Sequence, residues 1–226
     1  MNAGKIFTLF FLAILSTLTS RAQFSLATDI SLLHNFDGQQ PFTVIGQSVH
    51  GQWHVEEKIT LYAFFTYHSN GKYVNNLMAS AKSSGTQPQS FTFTNRSEMR
   101  LRHLSLGLKK YFLGSYKKLE KINLYAAGGF GLIMGTASNN FTTPVDTALY
   151  TVQNNILNGS GDFKRLSFDI ATGLEVPVAY EIFAFSEVRL HIPTTSYPNN
   201  YLLKNNQAPF LASVNLGIRI LFNYER

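Results

Sequence analysis

The 226-residue chain contains no cysteine, which excludes both a disulfide framework and a lipid-modified N-terminal cysteine. Past the first 22 residues it has no run near the roughly 18 apolar residues that a membrane-crossing helix requires. It also lacks a phosphate-binding loop, a dinucleotide fingerprint, zinc-ligand spacing and any nucleic-acid motif, so neither a cofactor nor a nucleic-acid partner is expected. No repeat longer than a hairpin recurs. What the chain does have is a two-residue rhythm of polarity, sustained almost from end to end.

Lys5, an apolar run from Ile6 to Leu18 and small residues at Ser20 and Ala22 make residues 1–22 a secretory signal peptide. The run is too short to span a bilayer. Residues 23–226 then form one β domain, a size that barrels reach as single units. Cleavage removes Lys5 and Arg21 and no acid, so the net charge falls from +6 to +4. The excess is spread out except at Lys109, Lys110, Lys117, Lys118 and Lys121, which read as a solvated turn at a membrane surface.

In the clearest stretch Leu166, Phe168, Ile170, Leu174 and Val176 face one way, and Arg165, Ser167, Asp169, Gly173 and Glu175 face the other. A second stretch sets Val214, Leu216, Ile218, Ile220 and Phe222 against Ser213, Asn215, Gly217 and Arg219. Such alternation makes a strand with one apolar and one polar face. Eight strands are expected, at 24–36, 42–55, 59–69, 99–113, 122–137, 163–176, 182–192 and 210–222. Their connections are long and polar on one side (70–97, 138–162, 193–209), apart from the short turn 37–41, and short or of moderate length on the other (56–58, 114–121, 178–181). That asymmetry predicts an all-β fold, an eight-stranded antiparallel up-and-down transmembrane β-barrel in a bacterial outer membrane. Aromatics at strand ends predict two interfacial girdles, with Phe24, Trp53, Tyr111, Phe112, Tyr180, Phe222 and Tyr224 below and Phe36, Phe42, Tyr67 and Phe163 above. Gly128, Gly129, Gly131 and Gly135 would relieve crowding in a narrow, curved wall.

The signal peptide ending at Ala22-Gln23, the glycine-rich segment 125–132 and the closing segment 215–222 resemble the small outer-membrane β-barrel domain proteins of Bacteroidetes-type bacteria. The architecture is similar to the wider OmpA/OmpX-like eight-stranded group. The resemblance implies location and fold, and carries no catalytic signature.

An eight-stranded barrel has room only for its own side chains. Asp29, Asp169, Glu175, Glu187, Lys109, Arg165, Arg189 and Arg219 are therefore expected inside and paired. Strand-rise counting couples Asp169 with Arg189 and Asp29 with Arg219 as structural ion pairs. His50 and His54 share a face about 13 Å apart, too far to chelate one ion, so no metal site is expected. In His68-Ser69-Asn70, base and nucleophile would point to opposite faces, which argues against an enzyme. The expected role is structural or surface-interacting. Loops 70–97, 138–162 and 193–209 would meet an extracellular glycan, protein or lipopolysaccharide, outer-membrane lipids would surround the wall, and barrel assembly machinery would act during insertion. The alternatives are a small-solute porin, a lipid A-modifying enzyme and a soluble lipocalin-like barrel with its apolar face inward.

Overall fold

The computed structural model describes residues 23–119, 122–196, 199–204 and 209–222. The expected signal peptide, Lys121 and Tyr224 lie outside them. Ten strands form one antiparallel sheet: β1 Gln23–Asn35, β2 Phe42–Glu56, β3 Ile59–His68, β4 Gly71–Ala81, β5 Ser90–Leu113, β6 Asn123–Phe141, β7 Tyr150–Val152, β8 Gly159–Ala179, β9 Ile182–Pro193 and β10 Leu211–Phe222. Around the ring the order is β3, β2, β1, β10, β9, β8, β6, β5, and β5 pairs back onto β3. Eight strands thus close the barrel. The wall has no free edge at membrane height, which is what lipid demands of a sheet.

The remaining two strands stand above the ring. β4 pairs with the first part of β5, from Gly71 opposite Met99 to Ser80 opposite Ser90, and β7 adds three pairs to the outer end of β4. Much of the expected loop 70–97 is therefore sheet. The expected loop 138–162 is shortened too, because β6 continues to Phe141 and β8 begins at Gly159. These additions lengthen the wall and leave the strand count of the barrel at eight.

One physical rule explains both the membrane part and the extension. On β5, His103, Ser105 and Lys109 point inward while Leu104, Leu106 and Leu108 point out. Above Leu101 the polarity reverses, so that Phe93, Met99 and Leu101 are buried and Arg96, Arg100 and Arg102 are exposed. β6 and β8 reverse at the same level, with Ile133 and Phe163 inward and Thr136 and Lys164 outward. Below the reversal the wall is dissolved in acyl chains; above it, the wall is an ordinary β structure with an apolar core in water. Phe130, the most exposed belt residue at 73%, lies well below the line.

The girdles follow in part. Phe24, Trp53 and Phe222 cluster at the lower edge, with ring centroids 5.4 Å and 6.1 Å from Phe24, and Phe36 meets Phe210 at the upper edge. Tyr111, Phe42 and Phe163 instead point inward. The first plugs the lower end of the lumen and the other two lie above the polarity reversal, so strand-end position alone misassigned them. Lys109 also leaves the expected basic cluster for the interior.

Candidate functional site

The lumen is filled in layers. At the lower end Glu175 is a hub: Lys109 and Arg219 both ion-pair with it, Arg219 Nη2 at 2.8 Å, and the Tyr111 hydroxyl donates to its Oε2 at 3.0 Å. Arg219 also donates to Ser25 Oγ and to the Tyr116 carbonyl, and its guanidinium lies 4.0 Å over the Phe183 ring. The turn that follows β5 folds Tyr116 up beneath this group, stacked on His54 at 4.0 Å. Burial pushes the Tyr116 phenol pKa up. Glycines create the needed space: a Cβ at Gly173 would strike the Tyr125 hydroxyl, and one at Gly107 or Gly129 the Tyr62 hydroxyl.

At mid-height Arg189 bonds Glu187 at 2.7 Å and lies 4.2 Å over Phe64, while Asp29 accepts from His50 at 2.7 Å. All eight charged residues assigned to the interior are buried, but the pairing differs from the strand-rise estimate. Neither Asp29–Arg219 nor Asp169–Arg189 forms. The register explains this: Asp169 stands directly opposite His191, with Arg189 two residues away opposite Ala171, so Arg189 turns to Glu187 on its own strand. Arg219 reaches across to Glu175, leaving Asp29 to His50 from β2. Two gaps between these layers hold about 10 Å³ each, room for one water molecule apiece.

Above them lies a group that linear spacing hid. His103 on β5, Asp169 on β8 and His191 on β9 are all buried, and one ligand atom from each lies within 4.8 Å of the others. The contacts are 3.3 Å from His103 Nε2 to Asp169 Oδ2 and 3.0 Å from His191 Nδ1 to Asp169 Oδ1. The residues are distant in sequence: Asp169 and His191 face each other on neighbouring strands, and His103 reaches them from β5 across β6. The one signal available beforehand was that each is a polar residue on an inward face.

Serine, histidine and carboxylate meet twice here, yet neither set is a hydrolytic relay. Ser48 Oγ and Asp29 Oδ2 both approach the same nitrogen of His50, Nε2, and Ser167 and Asp169 both approach Nε2 of His103. A relay uses the two ring nitrogens separately. His68 faces the lumen and Ser69 is exposed, so that pair is also split.

The mouth is closed by an apolar core that includes Phe42, Tyr73, Phe93, Met99 and Phe163 from the extended wall and Ile156, Leu202 and Leu203 from the outer loops. Asn139 ties the loops down, donating to the carbonyls of Leu157 at 3.2 Å and Tyr201 at 3.0 Å. The rings of Phe163 and Tyr201 occupy the space that a Cβ would take at Gly135 and Gly161. Polar side chains thus fill the lumen in its lower part and apolar ones fill it above.

No family model matches this sequence, and no curated protein is similar to it in sequence. Solved structures do share its fold. Neisserial surface protein A is 9% identical, with 89% of this chain and 99% of that one covered at a TM-score of 0.54. OprG of Pseudomonas aeruginosa is 10% identical, with coverage of 90% and 97% and a TM-score of 0.51. A major outer membrane protein of Thermus thermophilus is 8% identical, with coverage of 89% and 99% and a TM-score of 0.50. At such identities the likeness is one of fold. Together with the apolar belt and polar lumen of this chain, it makes the protein a bacterial outer-membrane β-barrel.

Proposed function

We propose that this barrel is closed to solutes and works as a membrane-anchored platform for surface interaction, its working part being the sheet extension and loops above the outer leaflet. The packed mouth carries this reading, because a pore would have to breach both the Phe163–Leu202 core and the charged layers beneath it. In planar bilayers the purified protein should give no stable single-channel steps. Steady conductance from the folded barrel would establish the porin alternative.

Among glycan, protein and lipopolysaccharide, rim charge favours the last. Arg102 and Lys164 flank Met134 in one row of the outer wall, just above the belt, and Arg100 and Arg96 continue upward on β5. Among the described residues, no lysine or arginine lies on the outward face of the upper halves of β1, β2, β9 or β10, so the positive rim is one-sided. Guanidinium and ammonium groups at that height suit the phosphates of an outer-leaflet glycolipid. Arg102→Ala combined with Lys164→Ala should reduce lipopolysaccharide co-purifying with the barrel several-fold without shifting its thermal unfolding. Unchanged co-purification would reject the rim as the contact.

A further inference from the structure

We propose that His103, Asp169 and His191 form a binding site for a divalent first-row transition-metal ion, zinc being the best match, which clamps β5 to β8 and β9 inside the sealed lumen. Two imidazoles and one carboxylate are the donor set such ions take, with an open position for a further oxygen ligand. Bonds of about 2.0–2.1 Å in tetrahedral geometry put neighbouring donors about 3.3–3.4 Å apart. His103 Nε2 and Asp169 Oδ2 are 3.3 Å apart, and His191 Nδ1 already touches the same carboxylate.

Three further observations favour an ion over a plain hydrogen-bond triad. First, the protons are unevenly distributed. Asp169 Oδ1 receives Ser167 Oγ at 3.0 Å and His191 Nδ1 at 3.0 Å, whereas Oδ2, on a fully buried residue, has no hydrogen bond. An unsatisfied carboxylate oxygen in a dry interior is costly. Second, the ionic contacts of Asp169 are both imidazoles, while Glu175 and Glu187 have lysine and arginine; a divalent cation would supply the permanent positive charge that the other two carboxylates receive from those side chains. Third, the wall between β5 and β8 is hollowed at this point. A Cβ at Gly131 would meet His103 Nε2, and would lie 2.7 Å from both Asp169 Oδ2 and Ser167 Oγ. Ser167 Oγ, 3.1 Å from His103 Nε2, is placed to serve as a fourth ligand. Since β5 and β8 are separated by β6 in the wall, the ion would brace the cylinder along a chord where no backbone hydrogen bond reaches.

The full chain, unfolded in urea with chelator and refolded into lipid vesicles with Zn²⁺ or Co²⁺ and then desalted, provides the test. We expect one ion retained per folded chain, a Co²⁺ ligand-field absorption band of low-coordinate type, and a higher unfolding temperature than in protein refolded with chelator throughout. H103Q and D169N should lose the ion and the band, and H54Q, which alters a lumen histidine beside Ser25 and Thr60, should keep both. If the site variants fail to fold, the wild-type stoichiometry and spectrum still decide. Wild-type protein that folds equally well with chelator and retains no ion would overturn the proposal, as would full retention by folded H103Q and D169N.

Discussion

Replacing Glu175 with glutamine is expected to destabilise the barrel by about 3–5 kcal/mol, the usual cost of removing one partner from a buried ionic group. Glutamine keeps the shape and a hydrogen-bonding end, so the loss isolates charge. Lys109 and Arg219 would remain buried around a neutral amide, and among the described residues no other carboxylate forms an ion pair with either of them. The cost should fall when Lys109→Met is added, because one of the stranded charges is then removed; a double-mutant cycle would measure that coupling. Trp53 is the only tryptophan, and it sits exposed at the lower girdle, so its fluorescence reports insertion during urea titration in vesicles. A midpoint for Glu175→Gln within error of wild type would mean that the network contributes nothing to stability.

The faces of the strands were legible in the sequence because membrane strands carry their polarity in plain alternation. From that pattern all eight interior charges could be assigned, and the ring of eight strands counted. Partners were not legible, because pairing depends on register and shear. Ala27, not Asp29, stands opposite Arg219, and a two-residue offset between neighbouring strands is enough to exchange an arginine for a histidine. The extension was hidden for a different reason. Tyr73, Leu77 and Phe93 lie on the inward face, but Asn75 interrupts that face and the outward residues mix Lys72, Asn76 and Thr92 with Val74 and Met78, and a serine- and asparagine-rich stretch reads as loop when every strand is assumed to face lipid. The His103–Asp169–His191 group was the least legible, since each residue comes from a different strand and the spacing within any one strand carries no trace of the cluster.

Arginine placed on the outer face should separate the two halves of the wall by sign of environment. Phe130 lies in the middle of the β6 belt, beside Leu106 on β5 and Phe168 on β8, with its ring 5.5 Å from that of Phe168. Phe130→Arg puts a guanidinium at bilayer mid-depth, where about 2–4 kcal/mol is lost, together with the aromatic contact. Asn140→Arg, ten residues along the same outward face and above the reversal, stands opposite Arg96 and should cost no more than about 1 kcal/mol, the scale of an exposed like-charge cross-strand pair in water. Heat-modifiable migration and urea midpoints of the two variants, measured side by side, make the comparison independent of refolding yield. The lipocalin-like alternative predicts the opposite order of magnitude at Phe130, since an outward side chain on a soluble barrel would already be in water. Equal midpoints for the two variants would therefore remove the bilayer from the outside of this wall, and with it the reason for arginine and aspartate to be inside.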